Sequence, residues 1–308
     1  MTPRGWWLLP GLVLVLSACG PRPADQPRHQ PPLTEPPLSQ VPPSQSRCVG
    51  DQAHAAQPRS VAVVPQLPAT EVYRLWRPLL QQLGERAGLC FDLVVPSSIP
   101  QFEQGLSAGR YDYAFMNPFH QVEELSRYQP LVRDRSTLLK GIVVVNRDAP
   151  IQSLQDLQGR QLALPSPNAF AASLLIRAHL RAAGIKVQPV YVTTHSNVYR
   201  RVALDPQVVG GGVNNTLARE RPELRQRLRV LFETKGYAAH PFSANRRLPQ
   251  AERERVQQAW LRLGDAPAMA GLLNRVQLAR PMASDYRRDY APLEALQLPA
   301  LAQPGASS

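Results

Sequence analysis

From residue 60 onward, short apolar runs alternate with amphipathic helical stripes. No other feature of the chain restricts its fold as much. Ser60-Val-Ala-Val-Val64 reads as a buried strand. Val72, Leu75, Trp76, Leu79, Leu80 and Leu83 then recur at helical spacing. Thr70 is placed to cap that helix, Pro78 to kink it and Gly88 to end it. Further strands are expected at 91–95, 111–116, 141–146, 161–165, 189–194, 208–213 and 229–234. Helices are expected at 99–108, after Pro118, at 168–183 and at 197–204. Ser153-Leu-Gln-Asp156 has the form of a capping box. After residue 249 helices dominate, at 249–263, 266–275 and 284–296. This order implies α/β lobes on parallel sheets, with the late helices returning to complete the first lobe. Ligands of such sheets bind beyond the carboxyl ends of the strands. The loops at 65–70, 117–120, 165–170, 194–197 and 210–216 are therefore the places to look for a site.

The first 58 residues follow different rules. One Arg precedes an apolar run from Trp6 to Leu16, shorter than the ~20 residues of a membrane span and suited to an export signal. The run ends in Leu16-Ser17-Ala18-Cys19, which resembles the lipobox of bacterial lipoproteins. That resemblance implies cleavage before Cys19, a signal peptide over 1–18, lipidation of the Cys19 thiol and an extracytoplasmic, membrane-anchored protein. Gly20 hints at the outer membrane. Ten of the 32 prolines lie within residues 20–58, so residues 19–58 are expected to form a lipid-bearing, semi-rigid tether of ~3 Å per residue.

Residues 59–308 hold 31 basic and 20 acidic residues, most of the chain's net +12. Export excludes nucleic acid as the partner of this charge, and small anions remain. Three cysteines are too few for a disulfide-built scaffold. With Cys19 lipidated, Cys48 and Cys90 either pair in an oxidising compartment or stand as two free thiols. The chain has no nucleophile elbow, no P-loop and no H-E-x-x-H motif. No catalytic residue, metal or cofactor is expected. Cys90 lies inside an apolar strand and reads as core, and the acids Glu123 and Glu124 beside His120 read as solvated.

Several segments are similar to the phosphate/phosphite/phosphonate-binding proteins of ABC importers. They are Val61–Pro68, Trp76-Arg-Pro-Leu with Leu83-Gly-Glu, and Gly109-Arg-Tyr-Asp-Tyr-Ala-Phe-Met-Asn-Pro118. Asp148-Ala-Pro-Ile-Gln-Ser-Leu-Gln-Asp-Leu-Gln-Gly159 matches most closely, and Thr194-His195-Ser196 approximately. The resemblance covers about two thirds of the chain. It implies a type II periplasmic-binding fold: two α/β lobes joined by two crossover segments, with a ligand cleft between. Lobe 1 would span 59–142 plus 237–308, and lobe 2 would span 143–236. It also implies an inner-membrane ABC permease as partner, a monomer and hinge closure on a small phosphate-like anion. The same fold admits a sensing module for a membrane kinase, or an enzyme of thiamine-pyrimidine synthesis. Two departures stand out. The family's Ser/Thr-rich anion site reads Pro165-Ser166-Pro167-Asn168-Ala169-Phe170 here, and its later acidic position is replaced by Gly210-Gly211-Gly212-Val213-Asn214-Asn215.

Helix N-terminal amides bind an anion without a lysine. Ser166 and Asn168 stand at such a start, with Asn168 placed to cap it and the small Ala169 letting a ligand reach the backbone beside Phe170. His195 and Ser196 open a helix after a strand, and Asn117 and His120 do the same. Tyr199, Gln66 and the close-approach glycines Gly211 and Gly212 complete the expected ligand set. Each of these also fits a plain cap, a turn or packing.

Overall fold

The computed structural model describes residues 48–302. The lipobox, Cys19 and most of the expected tether lie outside them. Twelve strands among the described residues form two sheets. In the first lie β1 (Val49–Gly50), β2 (Arg59–Val63), β3 (Cys90–Val94), β4 (Tyr113–Phe115), β5 (Tyr128–Asp134), β11 (Phe242–Asn245) and β12 (Pro281–Ala283), in the order β1-β3-β2-β4-β11-β5-β12. The second holds β6 (Gly141–Asn146), β7 (Gln161–Leu164), β8 (Gln188–Tyr191), β9 (Val209–Val213) and β10 (Leu228–Glu233), in the order β10-β6-β9-β7-β8.

Both sheets are mixed, which corrects the expectation of purely parallel ones. β3, β2 and β4 run parallel, as do β8, β7 and β9, while the remaining pairs are antiparallel. The chain crosses between the sheets over residues 135–140 and returns over 234–241. The two crossings pair with each other: Leu139 N donates to Tyr237 O at 2.8 Å, and Tyr237 N donates to Leu139 O at 3.0 Å. This is the two-lobe, two-crossover fold of type II periplasmic binding proteins.

Helix α1 (Ala69–Ala87) buries Leu79, Leu80 and Leu83 completely in the first lobe's core, beside Trp76. It begins after Pro68 with no side-chain cap, so Thr70 is not the cap. It runs on through Pro78, whose face is exposed; water can serve the Arg74 carbonyl that loses its donor there. Gly88 closes it at φ 64°. Helix α8 (Gln250–Gly264) packs beside α1, with Trp260 buried between Trp76 and Phe242. The Glu252 carboxylate accepts from Arg59 Nε and Nη2 at 2.9 and 2.8 Å and from Tyr113 OH at 2.9 Å, tying α8 to β2 and β4.

In the second lobe, the period of two along a strand decides which helix covers which face. Val143, Val145, Leu162 and Leu164 pack on one side with Ile176 and Leu180 of α4 (Ile176–Ala182). Ile142, Val144 and Ala163 pack on the other with Val198 and Val202 of α5 (His195–Leu204). The glycines of β9 follow the same alternation. A Cβ on Gly211 would sit 2.2 Å from Ala172 O, and one on Gly210 would sit 2.7 Å from Val198 Cγ1.

Four further expectations are corrected. Val49–Gly50 pairs with β3 as an edge strand, so the folded part begins before the expected boundary at residue 59. Ser153-Leu-Gln-Asp156 forms only half of a capping box: Asp156 accepts from Gln152 N and Ser153 N at the start of a 3-10 turn. The helix expected from residue 168 starts at Phe170 with a wide π turn over Phe170–Leu175, in which Ser173 N and Leu174 N both donate to Ala169 O. The expected helix at 284–296 is two short pieces, α10 (Tyr286–Asp289) and a 3-10 turn over Ala291–Leu296.

Candidate ligand-binding site

The loops after β2, β4, β7, β8 and β9 converge on a cavity of about 30 Å³ between the lobes, with the return crossing alongside. Its floor is the start of the 170–182 helix. Ala169 makes no side-chain cap there, and the amides of Phe170, Ala171 and Ala172 precede the first intrahelical partner. The Ser173 hydroxyl donates to Ser166 O at 2.6 Å and fixes the approach to this turn. Opposite stands Asn117, 3% exposed, at the end of β4. Its Oδ1 accepts from His120 N at 2.9 Å and starts α3 (Pro118–Glu123).

Two buried imidazoles face this space. His195 opens α5 under the Thr194 cap, whose Oγ1 accepts from Asn197 N at 3.1 Å. His240 lies on the return crossing, stacked against Phe115. Burial pushes His195 down to about 4. Burial, reinforced by His120, His195 and Arg219, pushes His240 down to about 3. Both are therefore neutral at pH 7 and act as hydrogen-bond groups. The Nδ1 atoms of both are buried with no protein partner. Thr193 lines the cavity at φ 72°, a left-handed conformation that a β-branched residue holds only under constraint.

Of the expected ligand set, Gln66, Asn117, Ala169, Phe170 and His195 line the cavity. The other seven are placed elsewhere. The Asn168 side chain does not cap its helix; its Nδ2 donates to Glu103 Oε2 at 3.1 Å. His120 pairs with the same carboxylate through Nε2, 2.9 Å from Glu103 Oε1. Glu103 lies on α2 (Ile99–Ser107), so this carboxylate joins the two lobes beside the cavity. Ser166 contributes its carbonyl to the turn, and its own hydroxyl is buried without a partner. The Ser196 hydroxyl donates to Glu220. Tyr199 is structural: its hydroxyl accepts from Val213 N at 3.1 Å and lies 2.6 Å from Thr216 Oγ1. Gly211 and Gly212 admit Ala172 O and the Tyr199 ring rather than the cavity.

Thr193, Asn215, Thr216 and His240 also line the cavity, and none of them stood in the expected ligand set. Only Asn215 and Thr216 carried a usable signal, as the polar end of the glycine-rich strand β9. Among the described residues no group of His, Cys, Asp and Glu is arranged to hold a metal ion. No described helix is long and apolar enough to cross a membrane.

The sequence and the fold match known proteins. A family model described as "ABC transporter, phosphonate, periplasmic substrate-binding protein" matches residues 61–290. The phosphonates-binding periplasmic protein of Escherichia coli (strain K12) is 21% identical over 234 residues, 68% of this chain and 67% of its own. PhnD1 from Prochlorococcus marinus (MIT 9301), solved in complex with methylphosphonate, superposes with a TM-score of 0.70 at 14% identity, over 79% of this chain and 97% of its own. A Xanthomonas citri protein bound to ATP superposes at 0.68 and 20% identity, over 79% and 97%. At these identities the structures speak to the fold alone. The family is one of transporter receptors, not of enzymes. The chain belongs to the phosphonate periplasmic substrate-binding proteins of ABC transporters.

Proposed function

We propose that the protein is a lipid-anchored receptor of an ABC importer. It closes its two lobes over one small phosphonate- or phosphate-type oxyanion and presents the closed form, as a monomer, to an inner-membrane permease. The observation that carries this reading is the cavity itself. Helix-start amides, two neutral imidazoles with unpartnered Nδ1 atoms and the Asn117 amide converge there with no lysine or arginine side chain in its lining. Oriented neutral donors of this kind suit an anion that must be held and released. Hinge closure is supported by the paired crossings and by hydrogen bonds that bridge the lobes at Glu103–Asn168.

Isothermal titration of the purified protein against phosphate, phosphite, methylphosphonate and phosphate esters tests the ligand class. At least one small oxyanion is expected to bind one to one. His195→Ala is expected to weaken it about tenfold to a hundredfold, the worth of a hydrogen bond to a charged group. No binding across the panel would sink the ligand class. The anchor has its own test. Cys19→Ser is expected to move the protein from the membrane fraction to the soluble one, and equal membrane recovery for both forms would argue against lipidation at Cys19.

A further inference from the structure

We infer that Asn215, Gln277, Gln66 and His240 form one directional hydrogen-bond relay that sets donor and acceptor character at two points of the cavity, and so selects an oxyanion that still carries one proton. This inference rests on the oxyanion reading above and adds the ionisation state of the ligand.

Asn215 Nδ2 donates to Gln277 Oε1 at 3.1 Å. Gln277 Nε2 donates to Gln66 Oε1 at 3.1 Å. Gln66 Nε2 donates to His240 Nε2 at 2.7 Å. The relay starts in α6 (Asn214–Ala218) of the second lobe, passes through the first, and ends on the return crossing. Gln277 is held at φ 64°, a conformation a non-glycine residue keeps only under constraint.

The consequence lies at the two ends. His240 accepts at Nε2, so its proton sits on Nδ1, which is buried with no protein partner. Asn215 gives one amide N–H to Gln277, and its Oδ1 is likewise buried with no protein partner. Both residues line the cavity. A primary amide offers donors on one side and an acceptor on the other. Reversing one amide therefore forces all three to reverse, and the ends keep opposite characters in either direction. A ligand that satisfies both ends must accept at one and donate at the other. A singly protonated phosphate or phosphonate does so with P–O⁻ and P–OH. A fully deprotonated oxyanion such as sulfate leaves a lone pair against a lone pair. Asn215 is thus a specificity residue, and Gln277 and Gln66 are positioning residues that act through the ends.

The test is a pH series of titrations on the full chain with phosphate, methylphosphonate, an electron-poor phosphonate and sulfate. His120, His195 and Arg219 act electrostatically on His240 and on every bound anion alike, so sulfate serves as the reference. Wild type is expected to bind the singly protonated ligands at least about tenfold more tightly than sulfate, the cost of one unsatisfied buried acceptor. Above the ligand's second ionisation the affinity falls, and the pH of that fall moves with the ligand. Gln277→Leu and Asn215→Leu are expected to flatten the fall, with thermal melting as the check that each variant is folded. Equal wild-type affinity for protonated and deprotonated forms overturns the inference. So does a profile unchanged in both folded variants while binding persists. Absence of any oxyanion binding overturns the oxyanion reading itself, and the inference with it.

Discussion

Acidification from pH 6.5 towards 4 is expected to strip about 6 kcal/mol from the stability of the folded chain, through two imidazoles. His195 and His240 are held down to about 4 and about 3 by burial, whereas each titrates near 6.5 when free of the fold. Above 6.5 both rings are neutral in either state and contribute no slope. Below it the unfolded chain takes up two protons that the folded chain refuses, so stability falls as the pH falls. Each proton of difference is worth about 1.4 kcal/mol per pH unit, hence about 2.7 for the pair. A domain's whole stability is about 5–15 kcal/mol.

The carboxylates act in other windows. Burial raises Glu123 and Glu124 above 4.5, so they favour the folded state as the pH falls through that region and offset part of the loss. Burial alone would raise Asp289, but hydrogen bonds from Arg288 and Arg133 outweigh it and hold it low. Its contribution is lost only below about 3.8. Urea denaturation at stepped pH reads the slope directly. His240→Gln is expected to halve it between pH 6 and 5, values taken as about midway between the folded and free ionisations. A denaturation midpoint that stays level over that range would be incompatible with two buried neutral imidazoles.

The parts of the site that were legible in sequence are those that topology dictates. β2 and β4 run parallel in one sheet, and β7 and β9 in the other, so each pair's following loops meet at one end of its own sheet, which groups Gln66 with Asn117 and Ala169–Phe170 with the end of β9. His195 follows from the same rule applied to β8. What escaped depends on contacts between distant segments. Gln66 and Gln277 are 211 residues apart, and no local pattern announces an amide pair at that distance. Asn168 has the residue type and position of a cap, but Glu103, 65 residues away, claims its side chain. β5 and β12 carry Pro130 and Pro281 and alternate poorly, so the sequence announces neither as a strand. Both enter the sheet as antiparallel strands, Pro130 beside a register shift in the β5–β11 pairing and Pro281 on the edge strand β12, the places in a sheet that tolerate proline.

The bond between Cys48 and Cys90 is expected to carry about 4 kcal/mol, the chain-entropy value for a closed loop of this size. The cysteines are 42 residues apart in sequence, with Cα atoms 5.5 Å apart. The loop encloses β1, β2 and α1. β1 has only two residues, too few to hold an edge by ladder bonds alone. Its other contacts reach α1 and the turn that follows it: Gly50 N donates to Gln81 Oε1 at 3.0 Å, and Asp51 N donates to Leu89 O at 2.9 Å. Gly50 and Gly84 meet so closely that a Cβ on either would lie 2.7 Å from the other's Cα. Replacing both cysteines by alanine is therefore expected to lower stability by about that amount in urea. Residues 48–58 should also open to protease while the rest stays protected. Ligand affinity should not change, because no residue from 48 to 58 lines the cavity, nor does Cys90. A variant that keeps both its stability and its protection at 48–58 would show that the bridge holds nothing. Under the proposed anchor at Cys19, a pull on the chain would meet this covalent bond before it met a two-residue strand.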